Sequence, residues 1–235
     1  MKKKKILILG ASSDIGVQLI KKLLQNNWIV YAHYNKSKKV LNNLKNQIKL
    51  ININFLNSNI QIKKQIKKIQ AIHFDAYINL VGFIDNKSFE NFDIDNLMKS
   101  LKVNSIVPLY ILKKIVKNMI KKRKGRIIQS SSIGVKFGGG SNTFNYSLSK
   151  HVNEFIPRDY KKWAKNNVLF NVLRIGVTNT KIHKKINKKN LKKRISLIPI
   201  NRMAESKEIV ELINFLISDK NTYITGQTIN ISGGE

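Results

Sequence analysis

Lys5-Ile6-Leu7-Ile8-Leu9-Gly10-Ala11-Ser12-Ser13-Asp14-Ile15-Gly16 is the stretch whose reading decides the fold of this chain. A short apolar run, residues 5–9, stops at a glycine. From residue 14 to 26 the apolar side chains fall at helical spacing, with Ile15, Leu19 and Leu23 on one row and Ile20 and Leu24 beside it. The pattern predicts a buried strand, a tight turn and a helix. Gly10 lets the chain turn sharply, and Gly16 lets the helix pack close to the strand. The free N–H groups of the helix start favour a pyrophosphate. Gly10, Ser12, Ser13, Asp14, Ile15 and Gly16 are therefore candidate cofactor contacts. Two glycines alone also suit an ordinary strand-to-helix turn. Their place after the first buried strand strengthens the ligand reading, because open α/β sheets bind at the carboxyl ends of their strands.

Outward from this turn, short apolar runs alternate with longer amphipathic ones. Strands are predicted at 28–33, 48–53, 74–80, 126–130, 168–174 and 227–231. Helices are predicted at 36–46, 58–70 and 93–122, the last broken near Pro108. Further helices fall at 144–165, with a kink expected at Pro157, within a loop and helix at 177–195, and at 206–217. A Gly/Ser-rich loop covers 131–142. Strand and helix alternate throughout, which predicts an α/β fold: a Rossmann-type, doubly wound parallel sheet with helices on both faces. No linker or repeat divides residues 1–235, so one domain is expected.

Lys+Arg number 44 against 13 Asp+Glu, a formal net charge of +31. Such a balance suits nucleic acid, an anionic membrane or an acidic partner. Nearly all the cations are lysine, however, and Asn and Ile are abundant too. These three share AT-rich codons, and a phosphate-reading surface favours the bidentate arginine. The lysines are spread over many helices without a recognition motif, so no nucleic-acid partner is expected. Cys is absent, which excludes disulfides and thiolate metal sites. The four His residues show no ligand spacing, and no metal is expected. Behind Lys2–Lys5 the apolar run Ile6–Leu9 is too short for a signal peptide. No stretch approaches the roughly 18 apolar residues of a membrane span. A cytoplasmic protein without membrane contact is expected.

The end of the second strand reads His33-Tyr34-Asn35-Lys36-Ser37. In NAD-preferring folds an acidic residue here binds the ribose hydroxyls. None is present, and His33, Lys36 and Ser37 are suited to a 2′-phosphate. NADP is therefore preferred over NAD, although Lys36 is also one of many surface lysines.

Tyr146-Ser147-Leu148-Ser149-Lys150 opens a predicted helix, and residues four apart share one face. An ammonium beside a phenol favours the phenolate and lowers its pKa from about 10. Such a tyrosine can give a proton to a carbonyl oxygen or take one from an alcohol. Alone, this spacing is common by chance in so lysine-rich a chain. The surrounding motifs change that. The turn Gly10 to Gly16 is followed by Asn79-Leu80-Val81-Gly82, Val103-Asn104 and Gly125-Arg126-Ile127-Ile128-Gln129-Ser130-Ser131-Ser132. Then come Tyr146 to Lys150, Ile175-Gly176 through Thr180, and Tyr223-Ile224-Thr225-Gly226-Gln227 leading to Gly233-Gly234. From residue 5 onward the chain resembles the short-chain dehydrogenase/reductase family, in general its 3-oxoacyl-carrier-protein reductase-like branch.

The resemblance implies an NAD(P)(H)-dependent oxidoreductase interconverting a carbonyl and a secondary alcohol. Tyr146 would be the general acid/base, and Lys150 would lower its pKa and bond the nicotinamide ribose. Ser132 would hold the substrate carbonyl oxygen, with Ser130 and Ser131 as alternatives. Asn104 would anchor a water linking Lys150 to solvent. Asn79 and Gly82 would pass the adenosine side of the cofactor, and Asn54 would face the adenine. Gly176, Thr178 and Thr180 would reach the cofactor near its carboxamide or pyrophosphate; Thr180 also suits a helix cap. A homodimer or homotetramer is implied, although Pro157 falls in a helix that often joins the family's subunits.

The chain departs from the pattern at several positions. Leu9 stands for the usual Thr and Asp14 for the middle Gly. Leu80 and Val81 are apolar, and Ile175 replaces a common Pro. The Ser132-to-Tyr146 offset of 14 is one residue long, with the extra residue expected among Gly138, Gly139 and Gly140. The family's substrate-covering segment is here Lys181 to Arg194, with eight basic residues in fourteen. On a helix Lys184, Lys188 and Lys192 would share one face, and Lys185, Lys189 and Lys193 the next. An anionic or carrier-bound substrate, or the cofactor's own phosphate, would suit them, as would plain solvent. Within the family a 3-oxoacyl-carrier-protein reductase and a reductase of a sugar derivative both fit. A cofactor-sensing binding protein without catalysis is the non-enzyme alternative.

Overall fold

A computed structural model describes residues 3–186 and 190–235. Seven strands form one sheet: β1 (Lys5–Leu9), β2 (Ile29–Tyr34), β3 (Lys49–Asn52), β4 (Ala76–Asn79), β5 (Gly125–Ser132), β6 (Val168–Ile175) and β7 (Thr228–Ile231). Their order is β3-β2-β1-β4-β5-β6-β7, and every pairing is parallel. The predicted doubly wound architecture is present. The order reverses between β1 and β4, where the register sets Leu9 beside Asn79. A crevice opens at such a switch point because the connections leave it in opposite directions.

Strand alternation sorts the core onto two faces. Ile6 and Ile8 point to one side, with Leu19 and Leu23 of α1 (Asp14–Gln25) and Ile209 and Ile213 of α8 (Ser206–Ile217). Leu7 and Leu9 point to the other, with Ile62 and Ile66 of α2 (Asn59–Gln70) and Ile111 and Ile115 of α4 (Val107–Lys121). β1 is covered on both sides, so its sequence is a continuous apolar run. Among the described residues no helix is long and apolar enough to cross a membrane.

Four expected helices differ in form. Residues 36–46 hold a 3₁₀ segment, Lys38–Leu44, in place of an α-helix. The predicted 93–122 helix is α3 (Ile94–Leu101), a π-turn at Lys102–Ile106, and α4. Pro108 is the second residue of α4, which continues the π-turn without a break, so its missing N–H leaves a carbonyl of that turn without its helical donor. The predicted 144–165 helix is not kinked but interrupted: α5 (Phe144–Val152) ends five residues before Pro157, and α6 (Tyr160–Ala164) follows it. The segment after β6 holds a 3₁₀ turn, Lys181–Lys185, and α7 (Leu191–Ser196), not one helix. β5 also runs two residues past its predicted end and takes in Ser131 and Ser132.

Candidate active site

A cavity of about 860 Å³ opens over the carboxyl ends of the central strands. Its floor is the glycine turn. Gly10 has φ +73, and a Cβ there would lie 2.8 Å from the Leu80 carbonyl carbon. At Gly16 a Cβ would lie 2.6 Å from the Ala11 carbonyl oxygen. Both positions thus exclude a side chain, for the reasons expected of them. Ser13 caps α1, its hydroxyl accepting the Gly16 N–H at 3.1 Å. Ser12, Ser13, Asp14 and Ile15 line the cavity. The Asp14 carboxylate accepts the backbone N–H of Lys181 at 2.6 Å across the crevice.

The end of β2 corrects one assignment. His33 is buried and does not line the cavity. Its Nδ1 accepts the Gly10 N–H at 3.2 Å, and its Nε2 donates to the Ile53 carbonyl at 2.9 Å. The ring stacks on Phe55 with centroids 4.5 Å apart. Burial pulls its pKa down to about 4, against the Ile53 bond that raises it. A neutral, enclosed imidazole offers no charge to a 2′-phosphate; it braces the glycine turn against the end of β3. Tyr34, Asn35 and Lys36 do not line the cavity either, whereas Ser37 does. Asn54 folds back on its own turn, accepting the Leu56 N–H at 3.0 Å.

Asn79 and Asn104 form the inner wall. Asn79 is fully buried; its oxygen accepts the Val81 N–H at 3.0 Å and its amide donates to the Asn104 carbonyl at 3.2 Å. It holds the strand end in place and does not line the cavity, while Gly82 does. The Asn104 side chain exchanges two bonds with the Phe83 backbone, at 2.7 and 3.0 Å, and donates to the Ser149 hydroxyl at 2.8 Å. Its main-chain carbonyl also accepts the Asn153 amide at 3.1 Å. Pro108, four residues on, has no N–H to offer that carbonyl, which leaves it to side-chain donors. Two amides, from Asn79 and Asn153, thus share this carbonyl.

Ser132, Tyr146 and Lys150 come together at the cavity wall. The Ser132 oxygen accepts the Gly134 N–H at 3.2 Å, and its hydroxyl lies within hydrogen-bonding reach of the Tyr146 phenol. Burial raises the phenol to about 12, against the lowering effect of the Ser132 bond. The Lys150 ammonium donates to the Val81 carbonyl at 2.8 Å, the Ser130 carbonyl at 3.2 Å and the Ser130 hydroxyl at 3.0 Å. Burial pulls its pKa down to about 7. Its nitrogen sits 5.8 Å from the centre of the Tyr146 ring. In this arrangement the expected lowering of the Tyr146 pKa by Lys150 is not met, because all three ammonium protons point at Val81 and Ser130. Ser131 faces away from the phenol and bonds the Glu154 carboxylate at 2.7 Å.

The far wall is the segment after β6. Gly176, Thr178 and Thr180 line the cavity. The Thr180 hydroxyl bonds the Thr178 carbonyl at 3.2 Å and does not cap the following turn, while the Thr178 hydroxyl bonds the Gly176 carbonyl at 3.0 Å. Lys181, Lys193 and Arg194 reach the cavity, with Ile182, His183 and Leu197 between them. Arg194 pairs with the buried Glu235 carboxylate and lies over the Phe137 ring. Of the expected lysine rows, Lys188 and Lys189 lie outside the described residues; Lys184 belongs to the 3₁₀ turn, and Lys192 and Lys193 to α7. The reading of the sequence missed Ile182, His183, Leu197 and Asn153. Only Asn153 carried a signal, three residues from Lys150 on the same helix face.

The cavity fits a dinucleotide on three counts. A side-chain-free turn leads into a helix start, Gly82 leaves room beside Tyr146, and hydroxyl groups line both walls. A family model described as Enoyl-(Acyl carrier protein) reductase matches residues 10–235. The chain belongs to the short-chain dehydrogenase/reductase family. This short-chain dehydrogenase/reductase is an oxidoreductase of a family that uses nicotinamide cofactors. It is 30% identical over 245 residues to the 3-oxoacyl-[acyl-carrier-protein] reductase FabG of Buchnera aphidicola subsp. Baizongia pistaciae, covering 99% of this chain and 97% of that one. The FabG of Buchnera aphidicola subsp. Schizaphis graminum is 34% identical over 157 residues, 66% of this chain and 61% of that protein. Its fold is also that of a 3-oxoacyl-[acyl-carrier protein] reductase from Brucella melitensis, with a TM-score of 0.87, 17% identity and coverage of 99% and 91%.

Proposed function

We propose that this protein is an NADP(H)-dependent carbonyl reductase, residues 1–235 forming one cofactor-binding domain, and that its substrate is a 3-oxoacyl thioester on a carrier. The observation that carries this reading is the Ser132–Tyr146 hydrogen bond at the wall of the cavity, with Lys150 one helical turn away. Two hydroxyls converge where a carbonyl oxygen would lie; both can donate a hydrogen bond to it, and the phenol, the more acidic of the two, is the one that gives up its proton. Ser132 orients the oxygen, Tyr146 supplies the proton, and Lys150 restores it. When bound, the nicotinamide cofactor supplies or accepts the hydride at the carbonyl carbon. Ser12 to Ile15 would face the pyrophosphate at the start of α1. Tyr146, Lys150, Gly176, Thr178 and Thr180 would hold the nicotinamide half.

Three features support the finer choices. The end of β2 has no carboxylate to repel a 2′-phosphate; Ser37 lines the cavity there, and the lysines on either side of it in sequence, Lys36 and Lys38, are exposed. Lys181, Lys193 and Arg194 at the cavity suit an anionic or carrier-borne group. Two relatives matched over nearly their full length carry the 3-oxoacyl-carrier-protein reductase name, beside others named nodulation protein G. Exposed apolar side chains on α3, the π-turn, α4 and α5 (Met98, Ile106, Leu109, Leu148 and Val152) suit a homo-oligomer contact.

The test is turnover of a carbonyl panel, acyl thioesters beside sugar ketones, with NADPH and NADH in parallel. The reading expects the thioester with NADPH to be the best pair. A sugar ketone turned over faster, or NADH preferred, would replace the substrate or cofactor assignment.

A further inference from the structure

Asn153 is buried at the end of α5, three residues after Lys150. Its side-chain nitrogen donates to the Ser130 carbonyl at 3.2 Å and to the Asn104 carbonyl at 3.1 Å. It thereby ties β5 to the π-turn directly behind Lys150. The Ser130 carbonyl is shared, because Lys150 donates to it as well. Each bond that Asn153 makes occupies one lone pair of its acceptor carbonyl and closes it to a water beside Lys150.

We propose that Asn153 is a positioning residue for proton transfer: it closes the inner wall of the Lys150 site and sets how firmly the ammonium is held there. The inference rests on the reading of Lys150 as the residue that restores the Tyr146 proton. The amide presents its positive hydrogens toward the Ser130 carbonyl, which holds the ammonium, and the Asn104 carbonyl, and it keeps water from them. Both effects disfavour the charged form. They act in the same direction as the burial that already brings Lys150 to about 7. The other titratable groups near Lys150 are Tyr146 on its own helix and the Glu154–Arg174 pair behind Ser131. Across the cavity stand Asp14, Lys181, His183, Lys193 and Arg194. None of these donates to the Ser130 or Asn104 carbonyl; among the described residues Asn153 is the side chain that bonds both.

Asn153→Ala removes both donors and leaves space for a water. Lys150 should then titrate at higher pH, by about half a unit or more. The shift is read from protein carrying ¹³Cε-labelled lysine, with the Lys150 resonance identified by its loss in Lys150→Met. The alkaline limb of kcat/KM for reduction of an acetoacetyl thioester with NADPH should move up by a similar amount. Asn153→Ser, which keeps one donor, should fall between the two and serves if the alanine variant does not fold. Unchanged Lys150 titration in a variant that still binds NADPH would overturn the proposal. A shifted titration with an unshifted rate profile would support the hold of Asn153 on Lys150 and overturn Lys150 as the proton path.

Discussion

The Asp14 carboxylate and the Lys181 backbone N–H meet at 2.6 Å, joining the glycine turn to the start of the cavity's outer wall across 167 residues of sequence. Asp14 stands where the family resemblance expects a glycine. The substitution adds a contact that a glycine has no atoms to make. The bond is exposed, so its worth is discounted to about 1 kcal/mol. Asp14→Ala should therefore raise the open population of the turn at Lys181–Lys185 roughly fivefold. Limited trypsin digestion, which has many lysines to cut there, measures it. Equal cleavage rates in the two proteins would show that the outer wall is held by other contacts.

His33 makes the fold sensitive to acid. Its pKa is about 4 in the folded protein against 6.5 for an ordinary histidine, burial being the main cause. The unfolded chain binds the proton more readily in that interval. The contribution is complete above pH 6.5 and is lost as pH falls through the interval toward 4. A shift of this size corresponds to roughly 3 kcal/mol. Urea unfolding from pH 7 to pH 4 should show this loss, and His33→Gln should flatten that part of the profile. A wild-type profile as flat as the variant's would remove His33 as the cause.

Gly16→Ala should be among the costliest single changes in the chain. The added carbon would lie 2.6 Å from a backbone oxygen that has no freedom to move. Helix α1 would have to shift away from β1, at an expected cost of about 2–3 kcal/mol. Gly138→Ala adds a carbon to open space and carries only the strain of its φ of +67, so it should cost less. The two melting temperatures, with NADPH affinity alongside, check the order.

Tyr146→Phe should lower turnover by about 10²–10⁴-fold while NADPH binding persists. The phenol keeps its proton to about pH 12, so reduction has its donor throughout the physiological range. Alcohol oxidation needs the phenolate and should speed up as pH rises. Ser132→Ala removes the bond that lowers the phenol, so the oxidation profile should move to still higher pH. An unchanged profile in that variant would place Ser132 outside the proton path.

Much of the fold was legible in local pattern. The apolar run of residues 5–9, the helical spacing after Asp14 and the alternation of elements identify a parallel sheet covered on both faces. Tyr146 and Lys150 were legible for the same reason, since i and i+4 share a helix face wherever the helix packs. Pro157 signalled a disturbance, but a broken helix and a kinked one look alike in sequence. Within 177–195 the pattern indicates a loop and a helix but not their bounds, because periodicity reports potential faces and not where a chain turns.

The sequence by itself determined the order of strands and helices, the two glycine positions and the identity of the groups that can exchange protons. Those depend on side-chain period, volume and intrinsic acidity, all local properties. Tertiary structure alone decided the state of each group. His33 is neutral because Phe55 and the end of β3 enclose it. Lys150 faces Val81 and Ser130 because three acceptors, from β5 and from the chain just past β4, converge there. The Asn104 carbonyl is open to Asn79 and Asn153 because Pro108 withholds a hydrogen bond and two other elements supply one. Charge state and hydrogen-bond partner are set by whatever surrounds a group, and those surroundings come from parts of the chain far apart in sequence.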